Sequence, residues 1–146
     1  MTIPQSVSKR PSLAVQRAIV ALLKADSALT TLLTGTKVYD GDAPEATPQP
    51  YVIVGDHLST DSGDLTSFGR EILSTIHVWT KTRSNVAGED IANRINQLLD
   101  RQHRSLAIVG HRAVYVRLEF DQALGDPDPQ LRHHVLRYRI ETAQLA

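Results

Sequence analysis

Six histidines, scattered aspartates and a run of arginines are the residues of this sequence with chemistry to offer. Imidazoles could hold zinc, paired carboxylates could do acid–base work or bind calcium, and arginines could grip phosphate or carboxylate. The spacing argues against each in turn. His133 and His134 are adjacent, so on a strand they point to opposite faces and cannot grip one ion there. His103 and His111 lie across a turn, and His57 and His77 stand apart with no evident ligand partner. Asp40, Asp42, Asp61 and Asp64 lack the loop spacing and closing glutamate of an EF-hand, so turn-forming and solvated roles suit them better. There is no cysteine and no Gly-x-Ser-x-Gly elbow, hence no thiolate and no elbow serine set up for acyl chemistry. Neither Gly-x-Gly-x-x-Gly nor a Gly-Lys-Ser/Thr ending occurs to cradle phosphate. The Arg101–Arg117 stretch interleaves one aromatic, Tyr115, and matches no nucleic-acid module. The expectation is a protein without a catalytic site, a metal or a cofactor.

The elements that would position these residues read clearly enough. Ser12 stands where an N-cap belongs, ahead of Val15, Ala18, Ile19, Leu22 and Leu23 at helical spacing. Asp26-Ser27 is a second capping signal, and Leu29, Leu32 and Leu33 continue the stripe until Gly35 stops it. This is one long helix or two nearly collinear ones. A second helix is expected from Val86 to Arg101, on Val86, Ile91, Ile95, Leu98 and Leu99. Between them a strand from Glu71 to Thr80 sets Ile72, Ile76 and Val78 against Leu73, His77 and Trp79. Downstream, Val114, Val116, Leu118 and Phe120 alternate with Tyr115, Arg117 and Glu119. The last strand sets Leu136, Tyr138 and Ile140 against Val135, Arg137, Arg139 and Glu141. Polar stretches Ser59–Gly69 and Asp121–Gln130 read as mobile loops, the first with Phe68 as its large apolar side chain. The sum is an α+β two-layer sandwich: an antiparallel sheet of four to five strands with two main helices packed on one face.

A chain of 146 residues makes one domain of ordinary size, expected over 12–146 behind a flexible arm at 1–11. Lys plus Arg equals Asp plus Glu at 16 each, so no overall field draws the chain to nucleic acid or an anionic membrane. That balance conceals segregation. Asp40–Asp64 holds six acids and no Lys or Arg, while Arg101–Arg117 holds four arginines and no acid. Such patches could meet between copies of the chain. No apolar run is long enough to span a bilayer, and the polar, proline-broken Met1–Pro11 lacks a signal core, so a cytoplasmic product is expected.

The stretch Lys37–Gly55 anchors the rest: a short strand Lys37–Tyr39, a turn at Asp40-Gly41, a loop punctuated by Pro44, Pro48 and Pro50, then a stiff apolar strand Tyr51–Val54. That continuous apolar run suits a strand covered on both faces, by helices on one and by a neighbouring subunit on the other. A helix, Val38-Tyr-Asp-Gly41, a proline loop, Pro50-Tyr-Val52 and Gly55 resemble the opening of the tail-completion or tail-terminator family of long-tailed bacteriophages and gene transfer agents. Ile76-His-Val-Trp79, Gly110-His-Arg112, Arg117-Leu-Glu119, Asp126-Pro-Asp128 and a basic last strand extend the resemblance over residues 12–142. Order and spacing carry it, since each motif is short and mostly structural.

The resemblance implies a structural virion protein of the tail or neck, assembled in the host cytoplasm as a homo-oligomeric ring, typically of six. Such a ring caps the tail-tube protein, ends tube growth and offers a docking surface to the head connector or stopper protein. DNA passes through its lumen without sequence-specific binding, and no membrane is involved. On the residues themselves, Asp61, Asp64, Phe68 and Arg70 are the expected partner-docking loop. Arg112, Arg117, Glu119, Arg137 and Arg139 are the expected inter-subunit or lumen face. A neck stopper and, from another class, a monomeric ligand-binding α+β domain are the alternatives.

Overall fold

The structure, a computed structural model, describes residues 7–145. Its elements run α1 (Ser12–Ala25), α2 (Ser27–Leu33), β1 (Val38–Asp40), β2 (Tyr51–Asp61), β3 (Gly69–Lys81), α3 (Val86–Leu99), β4 (His111–Gly125) and β5 (Leu131–Gln144). The strands form one five-stranded sheet in the order β1-β2-β3-β5-β4. Every neighbouring pair is antiparallel except β1 and β2, so the sheet is mixed. The three helices lie on one face of it, in the α+β sandwich expected.

The core follows from the patterning. Ile72, Ile76 and Val78 of β3 and Leu136, Tyr138 and Ile140 of β5 meet Val15, Ile19 and Leu23 of α1 and Ile91, Ile95 and Leu99 of α3. All twelve are at most 2% exposed. The phenol of Tyr138 donates to Asn96 Oδ1 at 3.0 Å, which satisfies the one polar atom this core residue brings in.

The first helical run is two helices. Asp26 breaks it with an extended backbone, and its carboxylate accepts from the Leu29 amide at 2.9 Å. The same carboxylate takes a two-pronged bond from Arg94 of α3, Nε at 2.8 Å and Nη2 at 2.7 Å. That guanidinium first, and the amide with it, hold the Asp26 carboxyl below its ordinary range. One side chain thus caps a helix and ties it to the next layer.

Several expectations are corrected. Ser12 is not the N-cap: Pro11 takes that position, so Ser12 is already helical and its buried hydroxyl finds no partner among the described residues. Thr34, at φ 56°, shares the stop after α2 with Gly35. Leu32 and Val86 leave the buried stripes, at 39% and 65% exposed, and α3 turns Gly88 inward instead. The strands outrun their apolar cores. β2 continues through a bulge at Asp56 to Asp61, which shrinks the first loop to 62–68. β4 continues to Gly125, so half of the expected turn Asp121–Gln130 is strand. Bulges between Ala113 and Tyr115 and between Leu118 and Phe120 break the expected alternation of β4. Ala113 and Val116 point inward, Val114 is 37% exposed, and Phe120 crosses to the side of Arg137.

Candidate docking surfaces

The sheet face turned away from the helices is a lattice of paired side chains. At one end Arg139 lies between two carboxylates, Nη1 3.3 Å from Glu71 and Nη2 bonded to Glu119. The Tyr115 hydroxyl donates to Glu71 at 3.3 Å, and the Arg117 guanidinium sits 5.0 Å above the Tyr115 ring. Further along, Arg137 covers Phe120 at 4.9 Å. Cross-strand register makes these contacts, since Arg139 faces Arg117 and Arg137 faces Phe120. Two arginines side by side would repel if the acids did not divide them.

The other end of this face is aromatic. The rings of Trp79 and His133 stack 4.0 Å apart at 9°. His133 Nε2 lies 2.7 Å from His77 Nδ1, and His77 Nε2 lies 3.3 Å from the Asp56 carboxylate. Burial first, and the neighbouring His77 second, lower His133 to about 4, so its ring is neutral at physiological pH. Among the described residues no three His, Cys, Asp or Glu converge on a metal position. The sequence gives no sign of this chain because its members come from three strands and meet only through register.

The structure brings together four of the five residues expected on this face, Arg117, Glu119, Arg137 and Arg139. Arg112 lies apart, at the His111 end of β4. The four residues expected in the docking loop spend their polar groups locally. Asp64 accepts from the Thr66 amide at 2.8 Å and from the Thr66 and Ser67 hydroxyls at 3.0 Å, bonds that hold its carboxyl below the ordinary range. Asp61 accepts from the Gly63 amide, and Arg70 clamps Ser59 through its hydroxyl at 2.9 Å and its carbonyl at 3.1 Å. Phe68 is half-buried and its carbonyl accepts from the Gln144 amide. Leu65, which the sequence reading passed over, is the loop's fully exposed apolar side chain. A leucine flanked by Asp64 and Thr66 in a polar stretch was the available signal.

A second surface lies between α1 and the segment 103–113. It is a groove in two halves, one of about 480 Å³ beside Arg10, Leu13 and Arg17, the other of about 590 Å³ beside Arg104, His111 and Arg112. Val109, 85% exposed, belongs to both. Among the described residues no acid lines either half. The arm at its margin is pinned: the Lys9 amide donates to Gln144 Oε1 at 2.8 Å, and Gln144 Nε2 donates to the Val7 carbonyl at 2.8 Å. Residues 1–6 of the expected arm lie outside the described residues.

Among the described residues no helix is long and apolar enough to cross a membrane. The profile of the family described as "Tail completion protein gp17" matches residues 17–143. A curated relative, the tail completion protein gp17 of Bacillus phage SPP1, is 29% identical over 132 residues, which is 90% of this chain and 94% of that protein. A solved chain from the virion of a native gene transfer agent particle superposes with a TM-score of 0.84 at 25% identity, over 93% of this chain and 99% of that one. The solved gp17 of bacteriophage SPP1 shares the fold at a TM-score of 0.61 and 23% identity, over 97% of both chains.

Proposed function

The chain belongs to the tail completion protein gp17 family of tailed-particle virion proteins, and from that premise we propose that it is a ring-forming tail terminator. It caps the tail-tube protein, ends tube growth and gives the head connector a surface to dock on. The observation that carries this reading is the likeness to a chain of an assembled gene transfer agent virion, end to end and at a TM-score of 0.84. Capping needs two contact surfaces and no reaction. The open sheet face fits that need, since its carboxylates and guanidiniums bond one another rather than standing poised around a reacting atom.

In this reading the open sheet face, with Arg117, Glu119, Arg137 and Arg139, is a stiff wall toward the lumen or a neighbouring subunit. The loop carrying Asp61, Asp64, Phe68 and Arg70 presents Leu65 to a partner in the virion. Apolar anchors on ordered loops contribute most of a contact's energy when they enter a pocket on the partner.

Native mass by light scattering, first alone and then with the tail-tube protein, tests the reading. A multiple of 16.1 kDa, present from the start or appearing with the tube protein, is expected. A monomer indifferent to the tube protein sinks it. A monomer that instead responds to the head connector moves the chain to the neck stopper position.

A further inference from the structure

Four exposed arginines border the groove between α1 and the 103–113 segment: Arg10, Arg17, Arg104 and Arg112. None of them makes an ion pair or a side-chain hydrogen bond among the described residues, unlike Arg70, Arg94 and Arg139. Between them the floor is apolar, with Leu13 at 55%, Val109 at 85% and Leu145 at 50% exposed. An apolar floor ringed by unpaired cations asks for an extended segment that is acidic and apolar at once.

The chain itself owns such a segment. From Glu119 to Gly125 every residue of β4 is exposed. Phe120 and Leu124 are 40% and 37% exposed there, and the strand runs on into the turn 126–130. This arm carries Asp121, Asp126 and Asp128 in addition to Glu119, and no Lys or Arg between 119 and 131. Its own groove is out of reach. His111 and Gln144 pair at the groove end of the hairpin and Gly125 and Arg132 at the turn end, with the 15 residues of β4 between. At roughly 3.3 Å per residue that separation is about 45 Å. Complementary patches at opposite ends of one rigid body cannot satisfy each other within one copy, and a head-to-tail contact between copies closes into a ring where its rotation allows.

We propose that the acidic tip of the β4–β5 hairpin of one copy seats in the arginine-rimmed groove of the next. The proposal rests on the ring reading above and names the contact that closes the ring. Arg104 and Arg112 meet Asp126 and Asp128, while Phe120 or Leu124 covers Val109. Proline at 127 and 129 stiffens the tip, which lowers the ordering cost of insertion.

Charge exchange on the full-length protein tests this. Arg104→Glu with Arg112→Glu, and separately Asp126→Lys with Asp128→Lys, should each weaken self-association by about tenfold or more, read as mass by light scattering with and without tail-tube protein. Mixing the two forms, or combining all four changes in one chain, should recover the multimer, because tip and groove are again opposite in sign. A folding defect is not cured by mixing. Because the chain has no cysteine, Asp128→Cys with Arg104→Cys gives an independent readout: oxidation should yield a ladder of linked copies, and neither single change more than a dimer. Should a reversed form fail to fold, the ladder decides alone. Reversed forms that multimerise like the natural chain, with no ladder, overturn the contact and leave the ring standing. A natural chain that stays monomeric beside the tail-tube protein, with no ladder, overturns the ring and the contact together.

Discussion

At the scale of single residues, one pair is set by contact and another by charge. Gly88 of α3 lies against the buried ring of His134, where an added Cβ would come within 2.2 Å of Cε1 and 2.4 Å of Nδ1. The ring has no room to retreat, being 3% exposed, and its Nε2 is 3.3 Å from Glu89 without hydrogen-bond alignment. Alanine normally stabilises a helix interior by about 1 kcal/mol over glycine. Here overpacking reverses the sign, and Gly88→Ala should destabilise by about 2 kcal/mol net, lowering Tm by about 4–8 °C. A variant as stable as the natural chain would show that His134 is free to move. His133, on the other face, makes stability depend on pH. Burial and His77 lower it from 6.5 to about 4, so the unfolded chain takes up the proton first as pH falls. Its contribution is therefore whole above about pH 6.5 and is lost as pH falls towards 4. Thermal melts should show Tm declining across that window, with His133→Gln flattening the slope. The Asp26 carboxylate, lowered by Arg94, loses its contribution below that window, so the two are separable. An unchanged slope in the His133 variant would assign the pH dependence elsewhere.

Among the elements, what was legible is what burial dictates, and what was missed is what register and bulges dictate. The faces of β3 and β5 follow from strict alternation, because one face meets α1 and α3 and any slip would bury Arg137 and Arg139. β4 begins with the same alternation and then departs from it. Its bulges at 113/115 and 118/120 add residues that no pattern of apolar and polar positions encodes, and Phe120 lands with the arginines. Past that point every residue of β4 is exposed, so no buried face marks it as strand, and Asp121–Gly125 reads as turn although it pairs with β5. β2 past Gly55 repeats the case. The edge of β4 is closed where it matters: the Leu118 amide donates to the Asp100 carboxylate at 2.9 Å, and the Arg101 amide to the Val116 carbonyl at 2.7 Å. Both partners follow α3 directly, a link that spacing in the sequence could not show. Asp61, Asp64, Phe68 and Arg70 were legible as a loop, yet their bonds to neighbours within it depend on how tightly it closes. Gly63 records that closure, since a Cβ there would meet the Ser67 carbonyl at 2.5 Å.

For the whole molecule the decisive quantity is the arrangement of charge, not its sum. A chain with no net charge and a pI near 7.0 has no long-range repulsion to keep copies apart, so their association is governed by local patches. The groove and the hairpin tip are of opposite sign at opposite ends, as the proposed head-to-tail contact requires. Salt then separates the forces at that contact. Raising ionic strength from about 0.1 M to about 1 M shortens the screening length from about 10 Å to about 3 Å. A contact led by Arg104, Arg112, Asp126 and Asp128 should weaken, and the fraction of multimer at fixed protein concentration should fall several-fold. A contact led by Leu13, Val109, Phe120 and Leu124 would hold or tighten instead, because concentrated salt strengthens apolar burial. Sedimentation or light scattering across a salt series reads the difference directly. The charge-reversed forms should lose the dependence, since screening has nothing left to remove but repulsion. A multimer whose mass is indifferent to salt in the natural chain would place the apolar floor, and not the arginine rim, in charge of whatever self-association it shows.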